Sequence, residues 1–115
     1  MKKTTSKPIY KFSQQEAKRF FQKSITKKNI EGLTILLAPR VFDYGRILVI
    51  TPRKSGNAPE RNLIRRRLKH IFYEDKLYEK PFDCIVIISK QSIDLNFDKL
   101  KSILNNVIQE NIKTP

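Results

Sequence analysis

Apolar residues recur at helical spacing in three segments of the chain, and these segments predict three α-helices. The first helix is expected over residues 14–24. The second begins near Ala58, and the third follows a cap at Asp94 or Asn96. The apolar face of the third helix consists of Phe97, Leu100, Leu104, Val107 and Ile108.

Three short runs rich in Ile, Leu and Val predict β-strands at residues 33–38, 46–51 and 83–89. The first two runs are separated by "PRVFDYG", which favours a hairpin between them. Residues 26–32 are polar and end in glycine, so they are expected to form a break. The resulting order, α-β-β-α-β-α, predicts an α+β fold in which helices pack on a short central sheet as a small sandwich.

The second helix has clear signals at its start and two distinct faces. Asn57 is a good N-cap, Glu60 completes a capping box, and Pro59 suits the first turn. A turn of 100° per residue places one apolar arc toward the core, made of Ile64, Leu68, Ile71 and Phe72. Next to that arc lies a donor stripe, which we define as Asn62, Arg65, Arg66 and Lys69. Arg61 lies on the border of the stripe, and Arg67 lies away from it.

The net charge of the chain indicates what kind of partner the stripe binds. The 115 residues include 24 Lys and Arg against 11 Asp and Glu, a formal net charge of +13. No acidic residue lies four positions before or after a residue of the stripe. The cations of the stripe therefore repel one another unless a polyanion neutralises them. RNA or DNA is the expected partner; a solvated helix face and docking on an anionic membrane are the alternatives.

The remaining features favour a single domain in the cytoplasm. The apolar runs "ILVI" and "CIVII" are far too short to span a bilayer, and no apolar stretch of the signal-peptide kind follows the basic start. Cys84 is the only cysteine, so no intramolecular disulfide is expected. Residues 1–8 are expected to form a flexible basic tail, followed by one domain at residues 9–115.

The basic segment closely resembles the signature of the bacterial ribonuclease P protein component. The matching run reads Arg53-Lys54-x-Gly56-Asn57-Ala58-x-x-Arg61-Asn62-x-x-Arg65-Arg66-x-x-Lys69. The resemblance implies that RNA is bound by Arg53, Lys54, Asn57, Arg61, Asn62, Arg65, Arg66 and Lys69. Two positions depart from the family pattern: Leu63 replaces a usual arginine, and Ala17 replaces the first of two usual aromatics in the first helix, of which Phe21 matches the second.

The resemblance also implies a division of labour. A large catalytic RNA would hold Mg²⁺ and remove the 5′ leader from precursor tRNA, while the protein would supply no catalytic group and no metal ligand of its own. The protein would bind the catalytic RNA and hold the single-stranded leader in a cleft between the first helix and the sheet, where Phe21 is the candidate residue. The family fold implies an unusual left-handed βαβ crossover. No membrane partner and no small-molecule substrate are expected.

Two other functions remain possible at this point. A ribosomal or other structural RNA-binding protein could use a similar small fold. A nuclease made of protein alone would need clustered carboxylates for two metal ions, and the acidic residues here are scattered. His70, the one histidine, lies among cations with Glu74 as its only acidic neighbour at helical spacing, so a solvated or RNA-contacting role is expected for it.

Overall fold

A computed structural model of the protein describes residues 14–112. Within this range, three α-helices and four strands follow one another as α1 (Gln14–Lys23), β1 (Thr26–Ile30), β2 (Leu33–Pro39), β3 (Ile47–Ile50), α2 (Ala58–Glu74), β4 (Phe82–Ile87) and α3 (Phe97–Ile112). The predicted α+β class is confirmed, and so are the three helices and the three predicted strands. The expected tail at residues 1–8 lies outside the described residues.

The strand order of the sheet is β1-β2-β4-β3. β4 pairs with β2 in antiparallel orientation and with β3 in parallel orientation. The hairpin predicted between residues 33–38 and 46–51, which are β2 and β3 of the structure, is therefore wrong, because β4 lies between them. The pairing makes β3, α2 and β4 a βαβ unit between neighbouring parallel strands. The left hand implied for this crossover stays a prediction.

The segment expected to form a break contains an edge strand instead. β1 has the sequence "TKKNI" and pairs antiparallel with β2, through a tight turn at Glu31 and Gly32, which both have positive φ. Its three central residues are exposed. An edge strand with little burial needs no alternation of apolar residues, and this explains why the sequence pattern did not reveal it.

Alternating positions of the strands give the sheet two apolar faces. One face packs against the apolar sides of α2 and α3 and forms the larger core, to which the sheet contributes side chains such as Ile35, Val49 and Val86. The other face is smaller, and it packs Leu36, Ala38 and Ile85 against Phe20 of α1. The helices thus lie on both sides of the sheet, α2 and α3 on one side and α1 on the other.

The apolar face predicted for α3 is largely confirmed. Leu100, Leu104, Val107 and Ile108 are buried, Ile103 joins them, and Phe97 at the start of the helix is partly buried. Of the two cap candidates, Asn96 caps the helix, since its Oδ1 accepts the Lys99 backbone N–H at 2.8 Å.

A buried arginine connects the sheet to α1. Arg46 is only 2% exposed, and its guanidinium pairs with Asp83 at 3.3 Å and with Glu16 of α1 at 2.9 Å. Its backbone N–H also donates to Asp83 Oδ1 at 2.8 Å. Burial raises the pKa of the Asp83 carboxyl, although the hydrogen bonds and charge of Arg46 act in the opposite direction. Each charge in this group therefore depends on the others to offset its desolvation.

We predict that Arg46→Met destabilises the protein by about 3–5 kcal/mol at pH 7, because Asp83 is left as a buried charge without its cation. When a carboxyl has a raised pKa in the folded state, the protein loses stability as the pH rises through that pKa. It regains this stability as the pH falls. The loss should therefore be smaller at pH 5 than at pH 7. Urea unfolding followed by circular dichroism measures both values.

Lys28→Met is the matched control. It breaks the exposed pair with Glu110, at 3.2 Å, and should cost no more than about 1 kcal/mol at either pH. A loss at Arg46 as small as that at Lys28, or one that does not change with pH, would contradict the role given to Arg46.

Candidate RNA interface

The segment before α2 positions two of the predicted cations. After β3 the chain forms a 3₁₀ turn over Arg53–Ser55, in which the Ser55 backbone N–H donates to the Pro52 carbonyl at 2.9 Å. The Ser55 side chain is buried, and both Arg53 and Lys54 are exposed. The turn therefore directs two positive side chains into solvent just before α2 begins.

The predicted start of α2 is confirmed at Ala58, with Asn57 as N-cap. Asn57 Oδ1 accepts the Glu60 N–H at 2.8 Å, and Glu60 Oε1 accepts the Asn57 N–H at 2.9 Å, which completes the capping box. Gly56 makes this arrangement possible, since a Cβ there would lie 2.8 Å from Glu60 Oε1 and 3.0 Å from Cγ1 of Ile93. Asn57 thus has a structural role in addition to its predicted place in the RNA site.

The two faces predicted for α2 are both present. The apolar arc is buried, with relative exposures of 2% for Ile64, 0% for Leu68, 1% for Ile71 and 0% for Phe72. In the donor stripe, Asn62 and Arg66 are exposed, while Arg65 and Lys69 are partly exposed. Because the apolar arc is held in the core, the helix cannot rotate, and the stripe keeps one fixed direction.

Hydrogen bonds hold part of this surface in place before any ligand binds. Arg65 donates through Nη1 to Asn62 Oδ1 at 2.8 Å and through Nη2 to the hydroxyl of Thr51. Arg61 donates to the Thr51 carbonyl at 3.4 Å. Thr51, just after β3, therefore fixes two arginines against the sheet edge. No signal in the sequence pattern assigned it that role.

The cations of the stripe have no anionic partner in the described part of the chain. The ion pairs found among residues 14–112 involve other cations, at Lys28, Arg46, Lys99 and Lys101. Glu60, the acid nearest to the stripe in sequence, is held in the capping box. These charges are therefore available to an external polyanion.

A second positive surface lies on the other side of the sheet. A groove of about 450 Å³ runs between α1 and the end of β2, with an apolar lining that includes Phe20, Ala38 and Val41. Arg19, Lys23 and Arg40 also line it. These three cations were not singled out from the sequence. The spacing of four residues between Arg19 and Lys23 could have revealed the two on α1.

Phe20, rather than Phe21, is the phenylalanine of α1 that packs on the sheet. Phe20 is 5% exposed, whereas Phe21 is 45% exposed and does not line the groove. The orientation of Phe21 toward the sheet, implied by the family pattern, is therefore wrong. Its contact with a leader stays a prediction.

Neither His70 nor Cys84 lies in surroundings that favour catalysis or metal binding. His70 Nε2 lies 3.8 Å from Glu74 Oε1, and both side chains are exposed. Burial raises the pKa of the Cys84 thiol, so the thiolate needed for nucleophilic chemistry is disfavoured. Within residues 14–112, no group of three or more His, Cys, Asp or Glu is arranged to hold a metal ion.

None of the described helices combines the length and the apolar character needed to cross a bilayer.

Comparison with known proteins agrees with this geometry. The sequence matches the family described as Ribonuclease P over residues 8–111. It is 33% identical over 103 residues to the ribonuclease P protein component of Borrelia duttonii. The aligned region covers 88% of this chain and 90% of that protein. The protein of the same name from Petrotoga mobilis is 38% identical over 66 residues, or 57% of this chain and 56% of that protein.

A solved structure shows the same fold. The ribonuclease P protein of Thermotoga maritima aligns with a TM-score of 0.72 and 25% sequence identity, covering 83% of this chain and 90% of that one. The resemblance found in the basic segment is confirmed, and this chain belongs to the family of bacterial ribonuclease P protein components.

Proposed function

We propose that the chain is the RNA-binding subunit of a ribonuclease P, in which it assists a catalytic RNA in removing the 5′ leader from precursor tRNA and strengthens substrate and metal binding. The observation that carries the proposal is the donor stripe of α2, which the buried apolar arc holds in one direction and which no acidic residue of the described chain neutralises. Family membership supports the same function.

The α2 surface is suited to the backbone of a folded RNA. From Asn62 to Lys69 the stripe extends about 10 Å along the helix, at 1.5 Å per residue. Arginine donates in a planar fork that matches phosphate oxygens, and the bonds from Arg65 to Asn62 and Thr51 reduce the side-chain freedom lost on binding. We assign the catalytic RNA to this surface.

The groove beside α1 is suited to a single strand. Its lining combines apolar side chains, on which bases can pack, with the cations Arg19, Lys23 and Arg40, which can follow the phosphates. We assign the 5′ leader of precursor tRNA to this groove. Phe21 is exposed on the same helix but does not line the groove, so the proposed contact is with a leader nucleotide outside the groove.

In this proposal the protein binds and positions RNA, and the chemistry belongs to the catalytic RNA. Several carboxylates of the described chain already have structural partners: Asp83 and Glu16 pair with Arg46, and Glu60 caps α2. Mg²⁺, when bound by the RNA, would supply the activated water and stabilise the leaving oxygen. Such a holoenzyme would act in the cytoplasm on newly made precursor tRNA.

Reconstitution tests the function directly. The protein is mixed with a bacterial ribonuclease P RNA at low Mg²⁺, and cleavage of precursor tRNA is followed. The protein should restore cleavage that the RNA alone performs poorly under these conditions, and it should show none by itself. Binding to the RNA without any gain in cleavage would favour a structural RNA-binding protein instead.

For the α2 surface, we predict that Arg65→Ala weakens binding of the catalytic RNA by on the order of 1–3 kcal/mol, because one phosphate contact is lost. The slope of log K against log [salt] should fall by roughly one unit. Dissociation constants measured across a salt series give both quantities, with circular dichroism confirming the fold.

Lys28→Ala is again a matched control, because it removes the same charge from β1, at the opposite edge of the sheet from β3. It should change the affinity by less than about 0.5 kcal/mol. Equal losses for the two variants would mean that RNA responds to total charge and that α2 has no directed surface.

For the leader contact outside the groove, we predict that Phe21→Ala lowers affinity for precursor tRNA by about 1–3 kcal/mol, if Phe21 stacks on one base of the leader. Affinity for mature tRNA and the free energy of unfolding should remain nearly unchanged, since this side chain is exposed. Phe20→Ala is the contrasting variant and should destabilise the fold by about 3–5 kcal/mol. Equal loss of both tRNA forms in Phe21→Ala would rule out a leader contact.

A further inference from the structure

A shallow groove on α2 overlaps the donor stripe at Arg66 and Lys69, and its other lining residues are not used by the proposed function. It has a volume of about 530 Å³ and is formed where the outer side of α2 meets the start of α3. Its lining residues are Leu63, Arg66, Arg67, Lys69, His70, Tyr73 and Phe97. The stripe contributes Arg66 and Lys69 to it, and the other five residues extend the surface around the helix.

The floor of this groove is unusually apolar for so basic a helix. Leu63 is 39% exposed, and Phe97 and Tyr73 are only partly buried. The rings of His70 and Phe97 lie with their centroids 5.9 Å apart at an angle of 54°. A leucine, an imidazole and a phenyl ring thus face solvent together, where a solvated helix face would have polar side chains.

The rim determines what kind of partner fits. Arg66, Arg67 and Lys69 surround the apolar floor, and no carboxylate belongs to the lining. The acid that contacts a lining residue is Glu74, which is paired with His70 and highly exposed. A partner must therefore offer a flat apolar group together with negative charge.

We propose that this groove binds an unpaired nucleotide of RNA, with the base on Leu63, His70 and Phe97 and the adjacent phosphates on Arg66 and Arg67. Bases that are splayed out of a helix stack on aromatic rings, histidine included, and on guanidinium planes. Arg67, which lies off the donor stripe, thereby acquires a ligand. Leu63, 39% exposed, provides an apolar contact for the base.

The site goes beyond the proposed function, and its test is independent of ribonuclease P activity. The full chain is titrated with single-stranded pentaadenylate RNA and, separately, with an abasic strand that has the same number of phosphates. NMR follows the backbone amides of α2 and the start of α3. Pentaadenylate should bind roughly tenfold more tightly than the abasic strand and should shift the signals of Leu63, His70 and Phe97.

Variants separate this groove from the one beside α1. Leu63→Ser combined with His70→Ala should reduce the preference for the base-bearing strand to less than about threefold, with the fold retained because both side chains are exposed. Phe21→Ala should leave the Leu63 and Phe97 shifts in place. The double variant avoids Phe97, whose loss would disturb the core against which it packs.

Three results would overturn the proposal. Equal affinity and equal shifts for the two strands would make the groove a cationic surface without base recognition. Shifts confined to α1 and β2 would place the base preference in the other groove. Shifts at Leu63 and Phe97 that appear when the protein alone is concentrated would identify the surface as a contact between copies of this chain.

Discussion

The burial of one side of α2 in the core is the interaction on which the rest of the structure depends. Ile64, Leu68, Ile71 and Phe72 are almost fully buried against the sheet and α3, so rotation of the helix would expose some of the largest apolar side chains of the core. The same constraint gives the cations a direction. A helix with this charge but without the apolar arc would present its arginines on all sides, whereas here the sheet allows them to face only outward.

The sheet packs against helices on both sides, because both of its faces are apolar. α1 covers part of the smaller face through Phe20 and leaves a groove with a positive rim, while α2 and α3 cover the larger face. Arg46 holds α1 to the smaller face, since its guanidinium pairs with Asp83 of the sheet and with Glu16 of α1. In the proposed function, the catalytic RNA and the leader strand therefore bind on opposite sides of one small domain.

Local signals predicted the elements that depend on local interactions. The cap at Asn57, the start at Ala58 and the buried arc of α2 follow from side chains within a few turns of one another, and all three are confirmed. The errors concern pairing between distant segments. β1 is an exposed edge strand with no apolar alternation. The position of β4 between β2 and β3 cannot be inferred from the sequence of either strand. The choice between Phe20 and Phe21 depends on one step of 100° around α1, which only the packing on Ile85 decides.

Chemical footprinting of lysine and arginine side chains tests the central claim, that RNA binds the protein on the outward face of α2. The protein is treated with amine- and guanidinium-modifying reagents, free and bound to a ribonuclease P RNA, and modification is read by mass spectrometry. If RNA binds this face, Arg65, Arg66 and Lys69 should be modified more slowly in the complex, while the rates at Lys28 and Lys99 should stay unchanged. Uniform slowing across the chain, or protection of Lys28 and Lys99 while the stripe stays reactive, would contradict it.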